Sequence, residues 1–170
     1  MTMETAQQHM GPMFEHIAAD GLAALAALHL PPGAKVLDVG TGVGNFAIFL
    51  ALQGFDVLTG EPATDTSRYA GHDWEANARA VGVAAHIHFQ AFSAAQMPFE
   101  PGAFAAVFFY GVLHHIDEPE RAAVLREALR VAGPGGAVVF FEPTPDTLRQ
   151  IWTSDPSHPL AVTPALYTAG

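Results

Sequence analysis

At 170 residues the chain is one domain's worth of sequence, and half of it is apolar with only 14% charged, which excludes charge-driven disorder. Seven Lys and Arg against 17 Asp and Glu leave a net charge of −10 with His neutral, so no nucleic-acid partner is expected. The absence of cysteine excludes disulfides, thiolate zinc sites and cysteine nucleophiles, and fits a cytoplasmic location.

Residues 1–10 are polar, lack the basic start and apolar stretch of a signal peptide, and are expected to be mobile. From Gly11-Pro12 to Leu30 the pattern predicts a helix, with proline in the first turn. Phe14, Ile17, Leu22, Leu25 and Leu28 supply its apolar positions, and Pro31-Pro32-Gly33 ends it. Lys35–Val39 reads as a strand that stops at Gly40-Thr41-Gly42-Val43-Gly44, and a helix follows up to Gly54. Phe55–Thr59 is a second strand ending at Gly60-Glu61-Pro62, and a helix around Asp73–Val81 leads to a third strand at His86–Phe89.

Phe104–Phe109 is apolar throughout, as a strand covered on both faces must be. The surrounding run, Ala103–Leu113, is too short to span a membrane, which takes about 18 residues or more. Asp117 and Glu120 suggest a capping box for the next helix, whose inner stripe is Val124, Leu125, Ala128, Leu129 and Val131. Gly133-Pro134-Gly135-Gly136 stops that helix, Ala137–Phe141 is a fifth strand, and a short helix lies around Asp146–Trp152 before an irregular, proline-bearing end. Alternating strands and helices predict a single α/β domain over 1–170, with a doubly wound, mostly parallel Rossmann-like sheet. Its parts are a helix at 11–30, a ligand-binding core at 34–143 and a tail at 144–170. Ligands of such sheets lie at the carboxyl ends of the strands.

Glycines at alternate positions after a buried strand let the backbone turn sharply and approach a ligand closely, with N–H groups at a helix N-terminus. A dinucleotide fingerprint would put its third glycine where Asn45 stands, so a pyrophosphate fits poorly here. Glu61 comes just past the second strand, where a carboxylate can accept both hydrogen bonds of a ribose diol, as in dinucleotide folds.

Val36–Gly44 resembles motif I of class I S-adenosylmethionine-dependent methyltransferases. The resemblance continues through Met97-Pro98-Phe99, Phe104–Val107, Val112–Ile116, Leu129-Arg130-Val131 and Gly133–Gly136. This ordered set is similar to the small-molecule branch that contains ubiquinone-biosynthesis-like enzymes. It implies S-adenosylmethionine as cofactor, S-adenosylhomocysteine as product and a small-molecule acceptor. It also implies a cofactor pose: Gly40, Thr41, Gly42 and Gly44 against the methionine and ribose, Asp38 near the ammonium, and Glu61 on the ribose hydroxyls. Ser93-Ala94 would border the adenine, and Tyr110-Gly111 would face cofactor and substrate. The chain departs from the family pattern at Ser93, where a carboxylate is common, and at Ala105, where aspartate is usual. The stretch after the fifth strand is also too short for the usual closing hairpin, which leaves a sheet edge to be covered by the tail or by a second copy in a homodimer.

Methyl transfer from a sulfonium mainly requires alignment and exclusion of water, with a base only where the acceptor holds a proton. His114 and His115, just past the fourth strand, are the candidate bases. Tyr110 lines the pocket or belongs to the core. His86 and His88 alternate on one strand but lack a third ligand, so no metal site is expected. Glu142 either meets substrate or caps the next helix, and His158 has no assigned role. Two other readings stand beside methyl transfer: a non-catalytic module that binds S-adenosylmethionine within an assembly, and an NAD-dependent dehydrogenase.

Overall fold

The computed structural model describes residues 2–168. In chain order its elements are α1 (Met3–Met10), α2 (Pro12–Leu28), β1 (Lys35–Val39), α3 (Asn45–Leu52), β2 (Asp56–Gly60), α4 (Trp74–Ala80), β3 (Ile87–Phe89), β4 (Ala106–Tyr110), α5 (Glu118–Ala132), β5 (Ala137–Phe141) and α6 (Pro145–Ser154). One-turn 3-10 helices lie at Ala84–His86, Leu113–His115 and Pro164–Tyr167. The strands form one parallel sheet in the order β3-β2-β1-β4-β5, the doubly wound arrangement. The chain reverses its direction of winding between β1 and β4, and a crevice opens there at the strand ends.

Alternation along the strands divides the interior into two cores. Val36, Val57, Ala106 and Phe108 face α2, α3 and α4, where Phe14, Ile17, Phe46, Phe49 and Leu50 are buried. Leu37, Val39, Val107 and Phe109 face the other way, onto Val124, Leu125, Ala128 and Val131 of α5. Side chains that point to opposite faces at successive positions require this, and β1 and β4 are apolar on both faces because both are covered. Gly21 stands in the middle of α2 for a local reason: a Cβ there would overlap the Phe49 ring, so the glycine lets α3 pack close.

Several expectations need correction. Residues 3–10 form a helix rather than a mobile end. Thr2 caps it by accepting from Thr5 N at 3.3 Å, and Ala6 is fully buried. Leu22 and Leu129, placed on inner helix faces by spacing, are 49% and 57% exposed. Asp117 precedes α5 but makes no side-chain cap, so the capping box is not formed. His86 belongs to a 3-10 turn and not to β3, and His88 pairs loosely with Asp56 at 3.5 Å. The pair therefore does not share a strand face. β5 pairs only with β4 and is half-buried along its whole length, an edge strand as the sequence implies. No helix among the described residues is long and apolar enough to cross a membrane.

Candidate active site

β1 ends in a turn whose glycines all have positive φ: 88° at Gly40, 50° at Gly42 and 86° at Gly44. Gly40 N donates to Gly60 O of the neighbouring strand at 2.8 Å, and Gly44 N to Thr41 O at 2.8 Å, so the turn is pinned at both ends before α3 begins. Register brings Val39 level with Gly60, which sets Glu61 beside the turn. Its carboxylate bridges two backbone donors: Gly42 N to Oε2 at 3.0 Å and Gly71 N to Oε1 at 2.7 Å. Glu61 thus points into the crevice, tying the glycine turn to the loop after β2. Each of its oxygens keeps room for a second donor.

Behind the turn lies a buried polar chain. Thr41 Oγ1 and Thr59 Oγ1 are 3.0 Å apart, and Thr59 donates to Asp38 Oδ2 at 2.9 Å. With the Thr59 hydrogen committed to Asp38, Thr41 is the donor to Thr59. Asp38 is 1% exposed and its Oδ1 has no partner. Burial pushes its pKa from 3.8 up to about 7, against the lowering effect of the Thr59 bond, and the Glu61 charge adds to the rise.

The crevice is a cavity of about 560 Å³, within the size range of small-molecule sites. Of the residues singled out from sequence, Gly40, Thr41, Gly42, Glu61, Ser93, Ala94, Tyr110 and His115 stand on its wall. Asp38, Gly44 and His114 do not; they lie behind it. Gly44 begins α3, and a Cβ there would come within 3.0 Å of Trp74 Cβ, so its glycine serves packing. Tyr110 lines the cavity while its ring packs on Phe46 and Phe141, with centroids at 5.2 and 5.0 Å, and its hydroxyl donates to Asp20 at 2.7 Å. Burial, and then the Asp20 hydrogen bond, push the Tyr110 pKa upward.

The charge of the wall is one-sided. Glu61, Asp65, Asp117 and Glu120 line the cavity and no Lys or Arg does. Asn45, also on the wall, has a buried Oδ1 without a partner. The partnerless oxygen of Asn45, together with four carboxylates, suits a cationic ligand carrying N–H groups and disfavours a doubly anionic pyrophosphate. Sequence reasoning missed Asn45 as a wall residue because it was weighed only as a missing glycine. It also missed Tyr69 and His72, whose loop has no periodicity to read.

The segment under the site is held by α5. Arg130 donates to Phe99 O at 2.6 Å and Met97 O at 2.9 Å, and its partner Glu127 accepts from Met97 N at 2.8 Å. That clamp fixes the loop that presents Ser93 and Ala94.

The two histidines after β4 part ways. His115 reaches the wall, whereas His114 is buried and its Nδ1 lies 2.8 Å from Glu142 Oε2. Glu142 also accepts from Val162 N at 3.1 Å, so it neither lines the cavity nor caps α6, which Thr144 caps instead. Burial lowers the His115 pKa to about 4, helped by the neighbouring His114 and His158.

A family described as "Methyltransferase domain" matches residues 9–161. Demethylmenaquinone methyltransferase of Beutenbergia cavernae is 35% identical over 120 residues, which are 71% of this chain and 45% of that protein. Chloroplastic tocopherol O-methyltransferase of Arabidopsis thaliana is 31% identical over 106 residues, 62% of this chain and 29% of that protein. The chain therefore spans less than half the length of either curated relative. Among solved structures, a protein of Methanosarcina mazei described as a SAM-dependent methyltransferase superposes with a TM-score of 0.60. At 21% identity, over 76% of this chain and 62% of that one, the likeness is one of fold.

Proposed function

The chain belongs to the methyltransferase-domain family, and from that premise we propose that its cavity binds S-adenosylmethionine and directs methyl transfer to a small-molecule acceptor, with S-adenosylhomocysteine as product. The observation that carries this reading is the Glu61 carboxylate fixed against the glycine turn in a cavity walled by acids and free of Lys and Arg.

S-adenosylmethionine, when bound, supplies an electrophilic methyl on a positively charged sulfur. The chain's own groups do the rest. Gly40, Thr41 and Gly42 offer bare backbone, Glu61 retains acceptor capacity for a diol, and Ser93-Ala94 closes the end held by Arg130. Asp38 acts from behind the turn: in its charged form it draws a cationic group toward β1 through the Thr59–Thr41 chain. Tyr110 presents an aromatic face, which favours a nearby cation. Because His114 is enclosed, His115 is the histidine of the pair that faces an acceptor in the cavity. The acidic wall weighs against the dehydrogenase reading, whose cofactor would bring two phosphates.

Titration calorimetry with S-adenosylmethionine and S-adenosylhomocysteine tests the proposal. A methyl added at Gly42 meets only Tyr69 O, at an ordinary 3.5 Å. Gly42→Ala therefore costs the fold about 1–2 kcal/mol for its left-handed backbone but puts a side chain where the ligand would approach. We expect binding by the native chain, a loss of roughly tenfold or more in Gly42→Ala for about 1.4 kcal/mol of lost contact, and an unchanged far-UV spectrum. No binding heat from the native chain sinks the reading. Labelled-methyl transfer to a panel headed by demethylmenaquinone and tocopherol-type acceptors, after the relatives' names, then separates an enzyme from a module that binds without turnover.

A further inference from the structure

Three histidines from two distant parts of the chain meet beside the cavity. His114 and His115 lie on the 3-10 turn after β4, and His158 closes the turn that follows α6. Their ring centroids are 4.3, 4.9 and 5.0 Å apart, and one ring nitrogen from each lies within 4.8 Å of the others. His114 and His158 are buried. No hydrogen bond among the described residues joins one of these rings to another; the bonds they make run outward.

The outer bonds of the cluster are specific. His114 Nδ1 faces the Glu142 carboxylate at 2.8 Å, and His158 Nδ1 faces the Pro159 carbonyl at 2.9 Å. Both partners are acceptors, so each Nδ1 donates its hydrogen outward and leaves Nε2 as the nitrogen that can serve a ligand. An imidazole oriented by a carboxylate or a carbonyl on its far nitrogen is the arrangement that metal-ligating histidines use. Glu142 adds a second feature: its Oε1 is buried without a partner, beside the cluster and with no Lys or Arg paired to Glu142.

We propose that His114, His115 and His158 form a three-nitrogen site for a borderline divalent transition-metal ion of the Zn²⁺ type, oriented by Glu142 and the Pro159 carbonyl. Metal–nitrogen distances of about 2.0–2.1 Å in a tetrahedron put ligand nitrogens roughly 3.3 Å apart, a modest closure from the present spacing within 4.8 Å. Three protein ligands leave one coordination position open. The ion would tie the tail to the end of β4, next to the wall residue His115. This goes beyond the methyltransferase reading and does not depend on it.

The test uses the full chain without a polyhistidine tag, stripped with a chelator, and needs no methyl donor. Titration with Zn²⁺ should saturate at one equivalent, and Co²⁺ should give the intense visible d–d bands of a tetrahedral site. His158→Ala should weaken Zn²⁺ binding by at least tenfold, and Glu142→Gln by about 10–100-fold. His88→Ala, remote from the cluster, should leave it unchanged. Zn²⁺ should also protect residues 155–168 from limited proteolysis. Weak octahedral Co²⁺ bands from the native chain, no saturation near one equivalent, or equal affinity in His158→Ala would each overturn the site. The native-chain spectrum decides the matter even where a variant fails to fold.

Discussion

Two corners of this molecule meet at one cavity and are built in opposite ways. At the β1–β2 corner, backbone does the work: Gly40 bonds Gly60 directly, and one side chain, Glu61, ties Gly42 N to Gly71 N. At the β4–β5 corner, side chains do the work: His114, His115, Glu142 and His158 gather from three separate segments. The first corner follows from strand register and so is local in sequence. The second exists only once the tail has folded back. A backbone site tolerates change badly, because nothing in it can rotate away, whereas a side-chain site can relax.

The sharpest way to probe this contrast is Gly60→Ala. A Cβ at Gly60 would overlap the Gln90 carbonyl and press on the Phe92 ring. Neither the β2 backbone nor the chain entering Gln90 can yield without breaking the sheet register. We expect a loss of about 3 kcal/mol or more, the upper range for overpacking, read as a lower urea midpoint. A near-native midpoint would show that this corner is softer than its hydrogen bonds imply.

Glu61→Gln comes next. A glutamine offers one acceptor oxygen where Gly42 N and Gly71 N need two, and its amide would turn N–H against N–H. The expected cost is about 1–3 kcal/mol of stability for the unmet donor, with S-adenosylhomocysteine affinity falling roughly tenfold or more as a charged acceptor is lost. Calorimetry and denaturation on the same sample check both arms.

A pH series on Asp38→Asn tests the buried layer behind the turn. The Asp38 pKa is about 7 folded against 3.8 in its ordinary state. Between these values the folded chain holds a proton that the unfolded chain has released. Stability from this group is therefore full below pH 3.8, declines as pH rises through the window, and levels off above about 7. Asparagine cannot ionise, so the variant should lose that slope and exceed the native chain at alkaline pH by an amount on the order of a few kcal/mol. Parallel slopes in the two proteins would mean that Asp38 ionises freely.

How far each corner was legible in the sequence follows from the same physics. Lys35–Val39 and Ala137–Phe141 were readable to the residue because each is a short apolar run set off by turn residues. Glu61 could be placed near the turn because it stands just past the second strand, and the register of β1 with β2 sets it there. Helix α1 was not, since its burial rests on Ala6 and Met3 meeting α3 and α4, a tertiary fact with no apolar run to announce it. Leu129 misled because helical spacing gives a stripe but not its width. His158 carried no signal at all: nothing in Asp155–Pro159 encodes that α6 will bring it back to His114.

The smallest expected effect concerns the residue that joins the two corners. Tyr69 places its carbonyl over Gly42, packs its tilted ring against His115 with centroids 4.7 Å apart, and donates its hydroxyl to Asp155 at 2.7 Å. Tyr69→Phe keeps the backbone and the ring and removes only the hydroxyl. Asp155 still has Ser157 and Arg68 as partners, and Tyr69 as a residue is 40% exposed. The Tm should therefore shift by no more than about 3 °C, with S-adenosylhomocysteine affinity unchanged. A large loss of affinity would mean that the phenol, and through it the tail, takes part in shaping the glycine corner, and the two corners would then have to be treated as one coupled unit.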